Sequence, residues 1–270
     1  MIKNLAILFW FYKEPKICRN HLEVLKKHNP NLKIYGLYGG KIKEAEKYKQ
    51  ALGKYLDDFY ITPKHDDYWK WINGDLMLLD WYEKRGKKLK WDSLAIYQWD
   101  LLVFDSLLKI FKKMNNGQIF LSGLRKVDKE VYDNWDWTKN WTKKSKAGRR
   151  KNFQDFVDYI KNSYKFKGLP LCCLFIFEIF PKIFFRKYSA VKNKQLGMLE
   201  YKIPCYAKIF KIPFFRKDFK VFWNLYNEDI KDSPLNAIPK KISKRYINKE
   251  LKSKSGFRLF HPYFKLWDNK

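Results

Sequence analysis

The first third of the chain alternates short apolar runs with amphipathic stretches. Leu5 to Phe11 is continuously apolar and of strand length, and Lys13-Glu14-Pro15 bounds it, which predicts a strand buried on both faces. Cys18 to His28 places Cys18, Leu22 and Leu25 on one helical face and stops at Asn29-Pro30-Asn31. Leu32 to Tyr38 predicts a second strand ending at Gly39-Gly40, Ile42 to Tyr55 a charged amphipathic helix, and Phe59 to Thr62 a third strand before Pro63. Strands separated by helices in this way imply a parallel sheet with helices across its faces. Such sheets bind ligands outside the carboxyl ends of their strands, which puts Phe11, Tyr12, Tyr38, Gly39 and Gly40 at the mouth of a site.

Asn73 to Lys88 follows a three-to-four spacing through Leu76, Leu79 and Tyr82 and predicts a helix. Trp91 to Tyr97 predicts a strand with Gln98-Trp99-Asp100 as its polar end, Leu101 to Phe111 continues it in apolar residues, and Ile119 to Leu121 supplies another strand. Beyond Val127 the pattern loosens. Tyr132 to Trp141 carries Trp135, Trp137 and Trp141 among polar residues, Lys143 to Asn152 is a basic loop, and Phe153 to Tyr164 reads as a helix. Pro204, Pro213, Pro234 and Pro239 make the last third rich in turns. The expected fold is α/β: a mostly parallel central sheet with helices on both faces, followed by a helical, turn-rich C-terminal subregion. No internal repeat or low-complexity segment interrupts it.

Composition excludes a disordered chain, since 46% of the 270 residues are hydrophobic and 19% aromatic. The net charge of +29 points to anionic partners, whether nucleic acid, anionic lipid or phosphorylated substrate. Only 9 of the 57 basic residues are arginine, leaving 48 lysines, which are less suited to bidentate recognition; a lysine bias spread over solvated faces is the plainer reading. The densest patches are Lys143 to Lys151 and Lys240 to Lys254. Cys18, Cys172, Cys173 and Cys205 lack metal-ligand spacing and read as reduced core thiols. Met1 to Tyr12 has no small-residue cleavage site and reads as a first strand, which predicts a cytoplasmic protein. Leu169 to Phe185 is nearly all apolar, but Pro170, Glu178, Pro181 and Lys182 interrupt it and it falls short of the roughly 20 residues of a spanning helix. It reads as buried core, with an interfacial patch at the inner face of an anionic membrane as the sharper alternative.

An apolar strand, Asp100 at its carboxyl end, Leu101-Leu102-Val103, Asp105 and then a helix together resemble the metal-binding DXD region of nucleotide-sugar glycosyltransferases of the GT-A fold. Gln98-Trp99-Asp100 stands where that triplet would be, with a neutral residue in place of its first acid. The resemblance implies a Rossmann-like core, a nucleoside-diphosphate sugar as donor, and a glycan or lipid-linked acceptor. It also implies a divalent cation, manganese or magnesium, on Asp100. A carboxylate-held cation neutralises the charge that develops on a departing diphosphate. With Gln98 neutral, the expectation is that this residue contacts the ribose or a metal-bound water, or that lysines supply the positive charge instead.

The C-terminal Phe260-His261-Pro262 resembles the aromatic-His-Pro element of several such enzymes, which implies His261 as a second metal ligand and Lys265 at the diphosphate. Gly197 to Ala207 resembles their acceptor-side segment and implies Glu200 as general base; Glu178, an acid inside an apolar run, is the alternative. In this picture residues 1–127 form the donor-binding core, and residues 128–270 the acceptor side and a segment returning to the site, within one compact domain.

Plainer readings stand beside each of these. A lone histidine near a chain end is usually packing or surface, Glu200 could pair with a nearby lysine, and the three tryptophans could be core rather than sugar-stacking faces. Asp57-Asp58 and Asp66-Asp67 read as solvated loop acids. The rival function is a nucleic-acid-binding protein using lysines and aromatic stacking, and an inactive transferase relative is the third reading. No phosphate-cradling GxxxxGK loop, GxGxxG, HExxH, paired CxxC or GxSxG elbow is present.

Overall fold

Alternation along the first strand explains its unbroken apolar sequence. The computed structural model describes residues 1–63, 66–143, 146–226, 232–237 and 242–268. Strand β1 (Leu5–Phe11) sends Leu5, Ile7, Phe9 and Phe11 into one core and Ala6 and Leu8 into another on the opposite face. A strand covered twice must be apolar on both faces. Helices α1 (Pro15–His28) and α2 (Ala45–Leu52) close the first core through Cys18, Leu22, Leu25, Tyr48 and Leu52. The amphipathic stretch expected as one helix from Ile42 to Tyr55 is α2 flanked by 3-10 turns at Ile42–Glu44 and Gly53–Tyr55.

The sheet continues with β2 (Lys33–Tyr38), β3 (Asp58–Ile61), β4 (Ser93–Gln98), β5 (Phe120–Leu121) and β6 (Phe177–Pro181). Its six strands lie in the order β3-β2-β1-β4-β6-β5. The first four run parallel, and β6 is antiparallel to both neighbours. The chain leaves β1 toward β2 on one side while β4 lies on the other. A crevice therefore opens where the strand order reverses, at the carboxyl ends of β1 and β4.

After β3, helix α3 (Asp67–Ile72) starts at Asp66, whose carboxylate accepts from the Trp69 amide at 2.8 Å. The second core is covered by α4 (Gly74–Lys84), α5 (Arg149–Tyr164), α6 (Lys182–Ser189) and α7 (Leu199–Ile209), which contribute Trp81, Phe156, Phe184 and Tyr206 among others. The apolar run from Leu169 lies inside this framework. Leu171–Cys172 pairs with Arg125–Lys126, β6 sits between β4 and β5, and every residue from Leu171 to Phe180 is buried, so the run is core rather than a membrane-facing patch. No helix among the described residues is long and apolar enough to cross a membrane. All four cysteines are buried free thiols. Lys144, Pro239, Lys240 and Lys241, which belong to the basic patches and turns expected from the sequence, lie outside the described residues.

The end of the chain returns to the sheet. Leu259–Phe260 pairs antiparallel with Leu102–Val103, and α8 (Lys244–Lys252) covers the pair, with Ile247 packing among Phe260, Tyr263 and Trp267. The ring of His21 on α1 lies 2.9 Å from the Trp99 carbonyl and 3.1 Å from the Lys265 carbonyl, so it joins helix, strand end and C-terminal segment.

Among the described residues one ion pair is wholly internal. Lys202 on α7 reaches Asp75 on α4 at 2.9 Å, and the Tyr188 hydroxyl donates to the same carboxylate. Burial lowers the Lys202 pKa while Asp75 works against that shift. Removing one partner strands the other charge, so Lys202→Met is expected to cost about 3–5 kcal/mol in urea unfolding, with much of it regained in Asp75→Leu/Lys202→Met. A single-variant loss below about 1 kcal/mol would show that the pair does not hold α4 to α7.

Candidate active site

The polar end of β4 is braced before it turns. The Gln98 side-chain amide donates to the Phe175 carbonyl, and the Trp99 amide donates to the Trp10 carbonyl at 3.0 Å. An aspartate at position 98 could not make the first bond, so the neutral residue holds β4 to the loop ahead of β6. The chain then presents Asp100, whose own carbonyl accepts from the Tyr263 amide at 2.8 Å.

Pairing of Phe260 with Leu102 brings the next residue, His261, opposite this turn. His261 Nδ1 lies 3.0 Å from the Asn236 carbonyl, and His261 Nε2 lies 3.5 Å from Asp100 Oδ1. A carbonyl only accepts, so Nδ1 carries a proton, and in the neutral form of the ring the Nε2 lone pair faces the carboxylate. Asp100 Oδ1 is buried and accepts no hydrogen bond among the described residues. Two electron-rich atoms so placed repel unless a proton or a cation lies between them. Imidazole nitrogen and carboxylate oxygen both suit a divalent ion, and the pair fits one. No cluster of three or more His, Cys, Asp or Glu side chains suited to a metal occurs among the described residues, so the protein offers two ligands at most from this pair.

Glu200 approaches from the other wall. Pro204, expected in a turn, sits inside α7. Proline has no amide hydrogen, so the carbonyl four residues earlier, that of Glu200, is released from the helix and accepts instead from the Cys173 amide at 2.9 Å. The Glu200 carboxylate accepts from the Phe175 amide at 2.9 Å and from Trp137 Nε1 at 3.0 Å. Its partners are thus an amide and an indole rather than the lysine of the plainer reading. Burial lifts its pKa to about 7 although both hydrogen bonds favour the ionised form.

These groups share a cleft of about 430 Å³. Of the residues expected from the sequence, Tyr12, Gly39, Gln98, Asp100, Glu200 and His261 line it. Others do not. The side chains of Phe11 and Tyr38 are fully buried in the first core, where their rings pack 5.5 Å apart, and the Tyr38 hydroxyl donates to the Lys41 carbonyl at 3.0 Å. Gly40 leaves room for that ring, since a Cβ there would collide with it. Trp99 packs behind the cleft, 5.6 Å from the Phe264 ring, and Lys265 is exposed outside it, contributing its carbonyl to His21. Glu178 lies within the sheet opposite Ile96 and Leu121, fully buried. Neither of its oxygens finds a hydrogen-bond partner among the described residues, burial raises its pKa and so favours the protonated form, and it does not reach the cleft.

Sequence reasoning missed Trp10, Lys13, Asp67, Lys70 and Trp71, all of which line the cleft. Lys70 Nζ donates to the Gly39 carbonyl at 2.8 Å, and Lys13 Nζ stands 4.9 Å over the Trp99 ring. Asp66-Asp67 is not a pair of loop acids: Asp66 caps α3 and Asp67 opens it. The available signal was an aspartate cap directly ahead of Tyr68-Trp69-Lys70-Trp71.

No protein-family model matches the chain, and no curated protein matches it. Solved structures with a similar course include the apo form of the bifunctional glycosyltransferase WbbM, at 10% identity over 97% of this chain with TM-score 0.46. This chain spans only 46% of the WbbM chain's length. A cytidylyltransferase from Leptospira borgpetersenii serovar Hardjo-bovis strain JB197 is 12% identical over 79% of this chain and 75% of its own, with TM-score 0.41. The apo form of mouse xyloside xylosyltransferase 1 is 11% identical over 82% of this chain and 88% of its own, also with TM-score 0.41.

Because the folded pKa of Glu200 lies above its ordinary value of 4.5, its contribution to stability is full below about pH 4.5 and lost as pH rises through about 7. Carboxyl-carbon NMR of the labelled protein should show one glutamate titrating near pH 7 that vanishes in Glu200→Gln. Trp137→Phe removes a donor to the anion and should move that midpoint upward; an unchanged midpoint would refute the indole's role.

Proposed function

We propose that the chain is a glycosyltransferase that moves a sugar from a nucleoside-diphosphate donor to a glycan or lipid-linked acceptor. The observation that carries this is Asp100 Oδ1, which accepts no hydrogen bond among the described residues and faces His261 Nε2 at 3.5 Å, in a cleft shared with a carboxyl group poised near neutrality. The diphosphate sits at the β1–β4 crevice, with Lys13 and Lys70 toward its oxygens and Tyr12 and Gly39 toward the nucleoside. Asp100 and His261 would hold a divalent cation there, which neutralises charge on the leaving diphosphate. Glu200 takes the proton of the acceptor hydroxyl, a task for which a pKa near the working pH is the efficient one.

The basic stretch around residues 146–151 gives the nucleic-acid reading little support. Lys146 and Arg149 pair with Asp136, Arg150 lies 3.8 Å from Asp133, and Lys151 pairs with Asp155, so much of its charge is met within the protein.

Calorimetry with UDP, GDP, CDP and TDP, each with and without manganese, tests the proposal. One of them should bind at least about tenfold tighter with manganese, and Asp100→Asn and His261→Ala should each remove that gain. The assignment fails if affinity ignores both variants, or if no nucleotide binds while single-stranded DNA is retained in a salt-sensitive manner.

A further inference from the structure

Trp71 is a large aromatic side chain left 52% exposed at the wall of the cleft. Its ring is nevertheless held from behind. Trp137, itself buried, packs against it with ring centroids 4.8 Å apart and planes 57° apart. The Arg149 guanidinium lies 4.2 Å over Trp137 and 5.3 Å from Trp71, and Asp136 fixes that guanidinium at 2.9 Å. The ladder continues inward, because the same Trp137 donates its indole hydrogen to Glu200. Outward, Tyr68 stands 6.2 Å from Trp71 and is also exposed.

An indole face open to water but fixed in orientation is costly to keep and cheap to bind against, since little freedom remains to be lost. Its natural occupant has a flat apolar face and a polar edge. A pyranose ring has both: axial C–H groups for the indole, and equatorial hydroxyls for polar groups beside it. Such a group is present, as the Asp67 carboxylate is exposed on the same helix and lines the same wall.

We infer that Trp71, with Tyr68 extending it outward, is the acceptor platform, and that its occupant is a pyranose unit of a glycan whose hydroxyl is delivered to Glu200. This rests on the transferase reading above and adds the side of entry. The donor end of the cleft is defined by Asp100 and His261, whereas the Trp71 ladder ends at Glu200, so the platform belongs to the acceptor and not to the nucleoside. The indole acts by stacking and takes no part in proton transfer.

The probes are methyl β-glucopyranoside and methyl β-galactopyranoside, followed by saturation-transfer NMR on the full chain, with nucleotide calorimetry run on the same variants. Trp71→Ala should weaken glycoside binding at least about tenfold and Trp71→Phe by no more than about threefold, while nucleoside-diphosphate affinity stays within about twofold in both. Glycoside binding that is absent, or indifferent to Trp71→Ala, overturns the platform even if the nucleotide still depends on Asp100. A loss of nucleotide affinity in Trp71→Ala overturns it too, by giving the indole to the donor base. Loss of manganese-dependent nucleotide binding as the expected property of Asp100→Asn is a separate readout, so the donor site and the platform stand or fall independently.

Discussion

The reversal of strand order between β1 and β4 is the constraint from which the rest follows. With β2 on one side of β1 and β4 on the other, no crossover covers the carboxyl ends of these two strands. A sheet whose inner strands are buried on both faces must place its polar chemistry at such an edge, because along β1, β4 and β6 the side chains short of it are enclosed by the cores. Trp10, Tyr12, Gln98 and Asp100 occupy that edge, one row beyond the last fully apolar positions.

Two distant segments are brought to this edge by backbone hydrogen bonding. Antiparallel pairing of Leu259–Phe260 with Leu102–Val103 sets His261 beside Asp100, and the Tyr263 amide then closes on the Asp100 carbonyl. On the opposite wall, Pro204 frees the Glu200 carbonyl from its helix so that Cys173 can take it, which ties backbone and side chain of residue 200 to the strand entering β6. The buried Lys202–Asp75 pair anchors the same helix two residues further on. Pre-organisation of this kind costs little at the moment of reaction, since the groups are fixed by the fold.

Much of the fold was legible because local signals agreed. The first strands are short unbroken apolar runs and the helices between them keep a three-to-four spacing, without conflict, and Gly39-Gly40 marks a strand end correctly. What escaped was long-range. Phe11 and Tyr38 stand at strand ends, yet their direction is set by which core they face, and that parity is not marked in a run apolar on both sides. Glu178 looked poised for a site because an acid in an apolar run is costly; burial favours its neutral form, and it does not reach the cleft. Pro204 read as a turn because a proline's place inside a helix depends on a partner for the released carbonyl, here Cys173, and no local pattern shows that. Lys13 lies in the bend ahead of α1, and Lys70 and Trp71 lie on the six-residue α3, which is too short for periodicity to mark.

The neutral Gln98 changes how charge is distributed on the transferase reading. Its amide is committed to the Phe175 carbonyl, so it braces the cleft instead of adding a second carboxylate. One carboxylate and one imidazole then face a divalent ion, and most of that ion's charge is left for the diphosphate to meet. Lys13 and Lys70 in the same cleft oppose a cation arriving alone but favour one arriving with an anion. Cation and nucleotide are therefore expected to enter together, each making the other's site complete. In that arrangement the negative charge that the protein turns toward the cation is that of Asp100, whose buried Oδ1 no internal donor satisfies among the described residues.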